Sequence, residues 1–199
     1  MKFKVVLADP PWSYSQFKKR SNGSPQYQTM PFADIQNIPV ARWADTDCLL
    51  VLWATWPLLN QGIELVKDWG FEYITGMPWV KTLPKAADIS TGLGFWSQSC
   101  SEVLLLGRRG NVSPPKNTKH LGLLEGEPRS FYATVSRRHS RKPEEIHQWI
   151  ESNFEGPYLE LFATQPREKW ACWGLDLGVE LTSEGVVTTE HGCKVLKDW

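Results

Sequence analysis

Apolar residues in this chain come in short runs, and the runs alternate with stretches of helical period. Residues 5–8 (VVLA), 48–54 (CLLVLWA), 72–80, 102–106 (EVLLL), 131–135, 158–163 (YLELFA) and 170–174 (WACWG) read as strands. Residues 58–69 place Leu59, Ile63, Val66 and Trp69 on one helical face, with Gly70 as the stop. Residues 32–38 predict a short helix. The stretch Lys142-Pro143-Glu144-Glu145 opens another, with proline in the first turn and two acids near the positive end of the dipole. Ile146, Trp149 and Ile150 form its apolar face, and Gly156-Pro157 ends it. Buried strands alternating with helices predict an α/β doubly wound fold with a mostly parallel sheet. Residues 1–178 are expected to form one domain, and 179–199 a hairpin or tail.

Two polar stretches, 13–31 and 83–101, follow strands and lack periodicity. Stretches of that length without structure are usually functional or disordered. Ligands of doubly wound sheets bind beyond the carboxyl ends of the strands, so both loops are expected to rim one crevice. At such an end the first strand runs straight into Asp9-Pro10-Pro11-Trp12. A turn is one explanation, since Asp-Pro marks turns and two prolines stop a strand. Chemistry is the other. Prolines have fixed φ and no N–H, so their carbonyls face outward as acceptors beside a carboxylate and a flat ring. That set suits a planar ligand bearing an amino group. Trp12 would stack on it, while the Asp9 carboxylate and the Pro10 carbonyl accept its two hydrogens. An adenine amine fits. Its lone pair is delocalised, and two acceptors would favour a pyramidal nitrogen able to attack an electrophilic methyl held in line.

Charge modifies this picture. Net charge is zero, but residues 104–142 hold 9 basic against 2 acidic residues and residues 143–199 hold 4 against 11. The basic stretch, with Arg137, Arg138, Arg141 and Lys142, is read as a nucleic-acid contact ahead of the 158–163 strand. His139 in this run is expected on the phosphate side or surface, and His147 at the surface of its helix. Eleven tryptophans exceed ordinary usage; Trp43, Trp69 and Trp149 are assigned to the core. The four cysteines lie far apart with no C-x-x-C pair. No residue spacing matches a metal site, and no Gly-x-Gly-x-x-Gly supports a nicotinamide cofactor. No apolar run approaches the length of a membrane span, and the N-terminus has no signal-peptide core. A cytoplasmic protein is expected, monomer or homodimer.

In order along the chain stand ADPPW, YQTM at 27–30, WVKT at 79–82, GFW at 94–96, and SRKPEE followed by YLELFA. This ordered set resembles the DPPW-type (MT-A70) adenine methyltransferases over residues 5–174. The resemblance implies a Rossmann-like fold in permuted order, with the catalytic motif before the cofactor strand. It implies S-adenosyl-L-methionine as methyl donor and S-adenosyl-L-homocysteine as product. By resemblance, Asp9, Pro10, Pro11 and Trp12 are the catalytic motif. Tyr27 belongs to the loop covering the target base, and Lys81 lies near the substrate entrance. Arg109 stands where relatives often have a lysine near the cofactor carboxylate. Asp9 is also expected to touch the methionine amine. Glu160, Phe162 and Ala163 match the cofactor strand, and Thr164, Arg167 and Gly174 lie around ribose and adenine. Relatives often carry Arg at the position of Thr164 and Asn at that of Leu175, and Arg167 is the candidate replacement. The tail after Gly178 is the candidate for the remaining adenine contact.

The expected function is therefore methylation of the exocyclic 6-amino group of adenine in DNA, as a bacterial or phage orphan methylase. A flipped base would enter under the 13–31 loop, with Lys18, Lys19 and Arg20 closing over it. Alternatives are an RNA adenosine methyltransferase of the same mechanism, a non-catalytic nucleic-acid-binding relative, and a tryptophan-rich module for another planar ligand. The intact D-P-P-W argues against the third of these four readings, and the ordered motif set against the last.

Overall fold

The element order is β1 (Phe3–Ala8), α1 (Phe32–Gln36), α2 (Val40–Trp43), β2 (Ala44–Ala54), a 3-10 turn (Trp56–Leu58), α3 (Leu59–Asp68), β3 (Glu72–Thr82), β4 (Ser101–Arg109), β5 (Thr134–Val135), α4 (Glu145–Asn153), β6 (Tyr158–Leu161), β7 (Trp170–Trp173), β8 (Val187–Thr188) and β9 (Lys194–Val195). The structure, a computed structural model, describes residues 1–14, 28–82, 97–115, 134–135, 142–174, 187–188 and 194–195. The strands form one sheet in the order β5-β3-β4-β2-β1-β6-β7-β9-β8. Central β1 pairs in parallel with β2 on one side and β6 on the other. Strands β7 and β9 extend the parallel half, and β8 closes it antiparallel. Strand β4 is inserted antiparallel between β2 and β3. The expected doubly wound, mostly parallel fold is what forms. Strand order reverses at β1, so the crevice rule points to its carboxyl end.

Continuous apolar strands arise because both sheet faces are covered. Val6, Ala8, Leu50, Leu52 and Leu161 pack on one face against Ile35, Leu65, Val66 and Trp69. Val5, Leu7, Leu49, Val51 and Trp53 pack on the other against Ile146, Trp149 and Ile150 of α4. Each of the Val, Leu and Ile side chains among these, fully buried, contributes about 1.5–3 kcal/mol of transfer free energy. Trp69 and Trp149 are core, as expected, and Trp43 packs half-buried at its margin. Gly70 ends α3 with φ +84°, a left-handed conformation that side chains disfavour.

Two boundaries and one element differ from the sequence reading in informative ways. Regular helix α4 begins at Glu145, because Pro143 and Glu144 form a lead-in turn whose carbonyls accept from Ile146 and His147 N–H. Strand β6 ends at Leu161, because Phe162 takes φ +64° and turns the chain out of the sheet. A bulky residue there is strained, and such strain concentrates at functional sites. The short helix α2 was not expected; its four residues carry too little periodicity to read.

Candidate active site

Asp9 leaves β1 at the sheet's carboxyl edge, with its N–H on Leu161 O at 3.4 Å. The corner after it is fixed by its own hydrogen bonds. Trp12 N–H donates to Pro10 O at 2.8 Å, and Met30 N–H donates to Pro11 O at 2.9 Å. The proline carbonyls are therefore not free of competing donors, as the sequence suggested; each keeps one lone pair. Trp12 departs further from expectation. Its ring is only 4% exposed, lies against Phe32, and donates Nε1–H to Trp53 O at 3.0 Å. It is a wedge that anchors the corner on β2, not an open stacking surface.

Around Asp9 the fold assembles charges from four separate segments. Lys142 Nζ, at the threshold of α4, lies 2.8 Å from Asp9 Oδ2 and 3.3 Å from Glu102 Oε2. Lys81 Nζ, near the end of β3, lies 2.5 Å from Glu102 Oε1. Trp53 and Trp79, packed edge to face, form the floor: Lys142 Nζ sits 5.6 Å above one ring and Lys81 Nζ 5.0 Å above the other. Asp9, Lys142, Glu102 and Lys81 carry zero net charge together. A floor of buried indole rings strengthens each attraction and makes an unpaired member costly.

The titration of these groups follows. Burial raises the Asp9 carboxyl above the ordinary aspartate range; Lys142 opposes the rise and Glu102 adds to it. Burial would likewise depress the Lys142 ammonium, but the Asp9 and Glu102 carboxylates outweigh it and hold the pKa above that of an ordinary lysine. Glu102, bracketed by two lysines, stays below the ordinary glutamate range despite its burial. Among the described residues only Oδ2 of Asp9 is engaged, which leaves Oδ1 as an oriented acceptor.

Lys142 is thus corrected from a nucleic-acid contact to a largely buried partner of Asp9, its side chain 14% exposed. A fold rule reveals it: a helix leading into a parallel strand points its N-terminus over the strands' carboxyl ends. His147 is corrected too. It is buried, with Nε2 3.0 Å from Glu160 Oε2 and its ring edge-on to Trp170. Glu160, expected to serve the cofactor, faces α4 and is held by that histidine. Arg109 fails its expected role for a geometric reason. Strand β4 is antiparallel, so Arg109 pairs with Cys48 at the start of β2, whereas Val103 pairs with Ala54 at its end. That puts Arg109 about 20 Å from the Asp9 edge, donating to Ala41 O. Arg167 is engaged by Glu144, beside the start of α4.

Phe162, Ala163 and exposed Thr164 do lie just beyond the end of β6, next to Asp9. Phe162 packs edge-on against Trp173. Gly174 approaches Ala163 so closely that a Cβ would sit 2.1 Å from Ala163 O, so backbone packing requires glycine there. Tyr27, Lys18, Lys19, Arg20, Arg137, Arg138 and His139 lie outside the described residues. Among the described residues no cluster of His, Cys, Asp and Glu could hold a metal, and no helix is long and apolar enough to cross a membrane.

The donor set fits the amino-acid end of S-adenosyl-L-methionine. A half-exposed carboxylate and an ammonium, adjacent at one strand end, complement an α-ammonium and an α-carboxylate.

Comparison with known proteins identifies the family. The MT-A70 family model matches residues 3–176. The type II methyltransferase M.MunI of Mycoplasma sp is 26% identical over 209 residues, covering 94% of this chain and 84% of that one. The human N(6)-adenosine-methyltransferase catalytic subunit is 32% identical over 195 residues, 94% of this chain and 30% of that one. The human N(6)-adenine-specific methyltransferase is 30% identical over 180 residues, 86% of this chain and 37% of that one. The chain thus spans about a third of each human relative. With the family model covering nearly its whole length and its motif at the carboxyl end of the central strand, the chain belongs to the MT-A70 family of methyltransferases.

Proposed function

We propose that this protein methylates the exocyclic 6-amino group of adenine in DNA, using S-adenosyl-L-methionine, as a bacterial or phage orphan methylase. The observation that carries the reading is the Asp9–Lys142 pair at the carboxyl end of β1. Lys142 would meet the cofactor's carboxylate and Asp9 its ammonium, while Phe162, Ala163, Thr164 and Gly174 border the ribose and adenine. The cofactor, when bound, supplies an electrophilic methyl group. Asp9 Oδ1 and the remaining lone pair of Pro10 O accept the hydrogens of the adenine amine. This frees the nitrogen lone pair, and Asp9, with its raised pKa, is suited to take the released proton. Lys142 holds Oδ2 so that Oδ1 is presented in one orientation. Tyr27, Lys18, Lys19 and Arg20 keep their proposed place over the base, and Lys81, Arg137 and Arg138 along the polymer.

The 26% identity to the mycoplasma type II methyltransferase supports DNA as the first reading, against the human adenosine methyltransferase subunit. The 32% identity to that subunit favours RNA as the second reading. The test is incubation with labelled cofactor and DNA or RNA, single- or double-stranded, followed by nucleoside mass analysis. N6-methyldeoxyadenosine is expected. Methylation of RNA alone would replace the first reading by the second, and no methylation of any polymer would overturn both.

A further inference from the structure

Trp56 stands 46% exposed, one of three large apolar side chains so exposed among the described residues. It opens the 3-10 turn directly beyond β2, on the same sheet edge as Asp9. Scattered exposed apolar residues are ordinary and need no explanation. This one is held in place. Its indole Nε1–H donates to Ser101 Oγ at 2.8 Å, and Pro57 stiffens the turn behind it. Ser101 is the residue before Glu102 and pairs with Val80, next to Lys81. Trp56 is therefore tied to the strand that carries the charge network, while among the described residues no other ring stacks on it. Ala8 pairs with Leu52, so Asp9 is level with Trp53, and the Trp56 backbone lies three residues, roughly 10 Å, beyond the Asp9 corner. That is too far to touch an adenine amine at Asp9 Oδ1, and a suitable distance for a nucleotide next to it. A rigid aromatic ring with one polar tether loses little entropy when a second ring lies on it.

We propose that Trp56 is a stacking platform for the nucleobase adjacent to the target adenine. The inference rests on the adenine-in-nucleic-acid reading above and deepens it. Trp12, buried, does not supply the stacking surface at this edge; Trp56 does. Stacking on an aromatic side chain tolerates any base, so the contact contributes affinity and strand placement without sequence readout.

The test is binding by fluorescence anisotropy of a labelled single-stranded oligonucleotide with one adenine. Wild type is compared with Trp56→Ala, Trp56→Phe and Ser101→Ala, on the intact strand and on strands with an abasic site on either side of the adenine. Trp56→Ala is expected to weaken binding about ten- to a hundredfold, Trp56→Phe to restore most of it, and Ser101→Ala to fall between. One abasic strand should weaken wild-type binding to the same degree and leave Trp56→Ala unaffected. Cofactor affinity should not change in any variant. Equal binding of wild type and Trp56→Ala overturns the proposal, and so does a Trp56→Ala effect confined to oligomeric state. If the intact strand binds with this abasic pattern yet no methyl is transferred, the functional reading fails while the platform stands.

Discussion

Strand β4 carries charge at both ends, and the two ends live in different worlds. At its start, Glu102 is buried between Lys142 and Lys81 above two indole rings. At its finish, Arg108 pairs with Glu72 in open solvent and Arg109 caps Ala41 O. The residue types are the same kind of charged pair. Their consequences differ because only the first set is desolvated and joined to Asp9. Surface pairs of this sort contribute little, whereas a buried network is costly to break. Strand direction decides which end faces the crevice, and β4 runs against its neighbours.

The sharpest way to break this contrast is at Asp9. Asp9→Ala removes the oriented acceptor and should lower methyl transfer by about a thousandfold or more, with a cooperative melt retained because the position is half-exposed. Turnover within tenfold of wild type would refute the mechanism. Lys142→Met comes next. It leaves two carboxylates facing each other over an apolar floor, so stability should drop by about 3–5 kcal/mol and turnover with it. The pH profile gives a second readout. Asp9 already titrates above its ordinary range, so kcat/KM should fall on acidification at a pH above 3.8. Lys142 is the group that lowers the Asp9 pKa, so in Lys142→Met this acid limb should move to higher pH. A limb that stays in place would show that the pair is not coupled.

Glu102→Gln has a smaller effect, about 1–3 kcal/mol, from loss of a charged acceptor between two lysines. Its sign with pH is definite. The folded-state pKa lies below 4.5, so Glu102 contributes stability above that value and the contribution is lost as pH falls through the folded pKa. Denaturant melts of wild type and Glu102→Gln should therefore differ at pH 7 and converge toward pH 3. A constant gap across that range would contradict the pairing.

The sequence revealed the parts of this molecule that depend on local pattern. Apolar runs gave β1, β2 and β6, helical period gave α3 and α4, and Gly70 marked a helix end. It revealed Asp9 because an acid followed by two prolines at a strand end is locally odd. It could not reveal Glu102, an ordinary acid at the head of an apolar strand, whose place depends on β4 entering the sheet antiparallel. The same unseen direction led Arg109 to be assigned to the wrong edge. Lys142 was visible as a basic residue before a helix, but its burial depends on Asp9, 133 positions away in sequence. His147 looked like a surface residue because its partner, Glu160, sits on another element. Trp12 was read as open because burial by Trp53 and Phe32 is a tertiary fact.

The far end of β4 supplies the smallest effect and the cleanest control. Arg109 was matched to a cofactor-binding position by motif alone, and the antiparallel register sets it at the opposite edge of the sheet from Asp9. Its guanidinium contact is to the Ala41 carbonyl, which water can replace at an exposed site. Arg109→Gln, and Arg108→Gln beside it, should therefore leave cofactor affinity, turnover and melting behaviour at wild-type values. Calorimetric titration with S-adenosyl-L-homocysteine checks this directly. A several-fold loss of affinity in Arg109→Gln, with the melt unchanged, would mean that the cofactor reaches the amino edge of the strands. The charge network around Asp9 would then have to be read as structural.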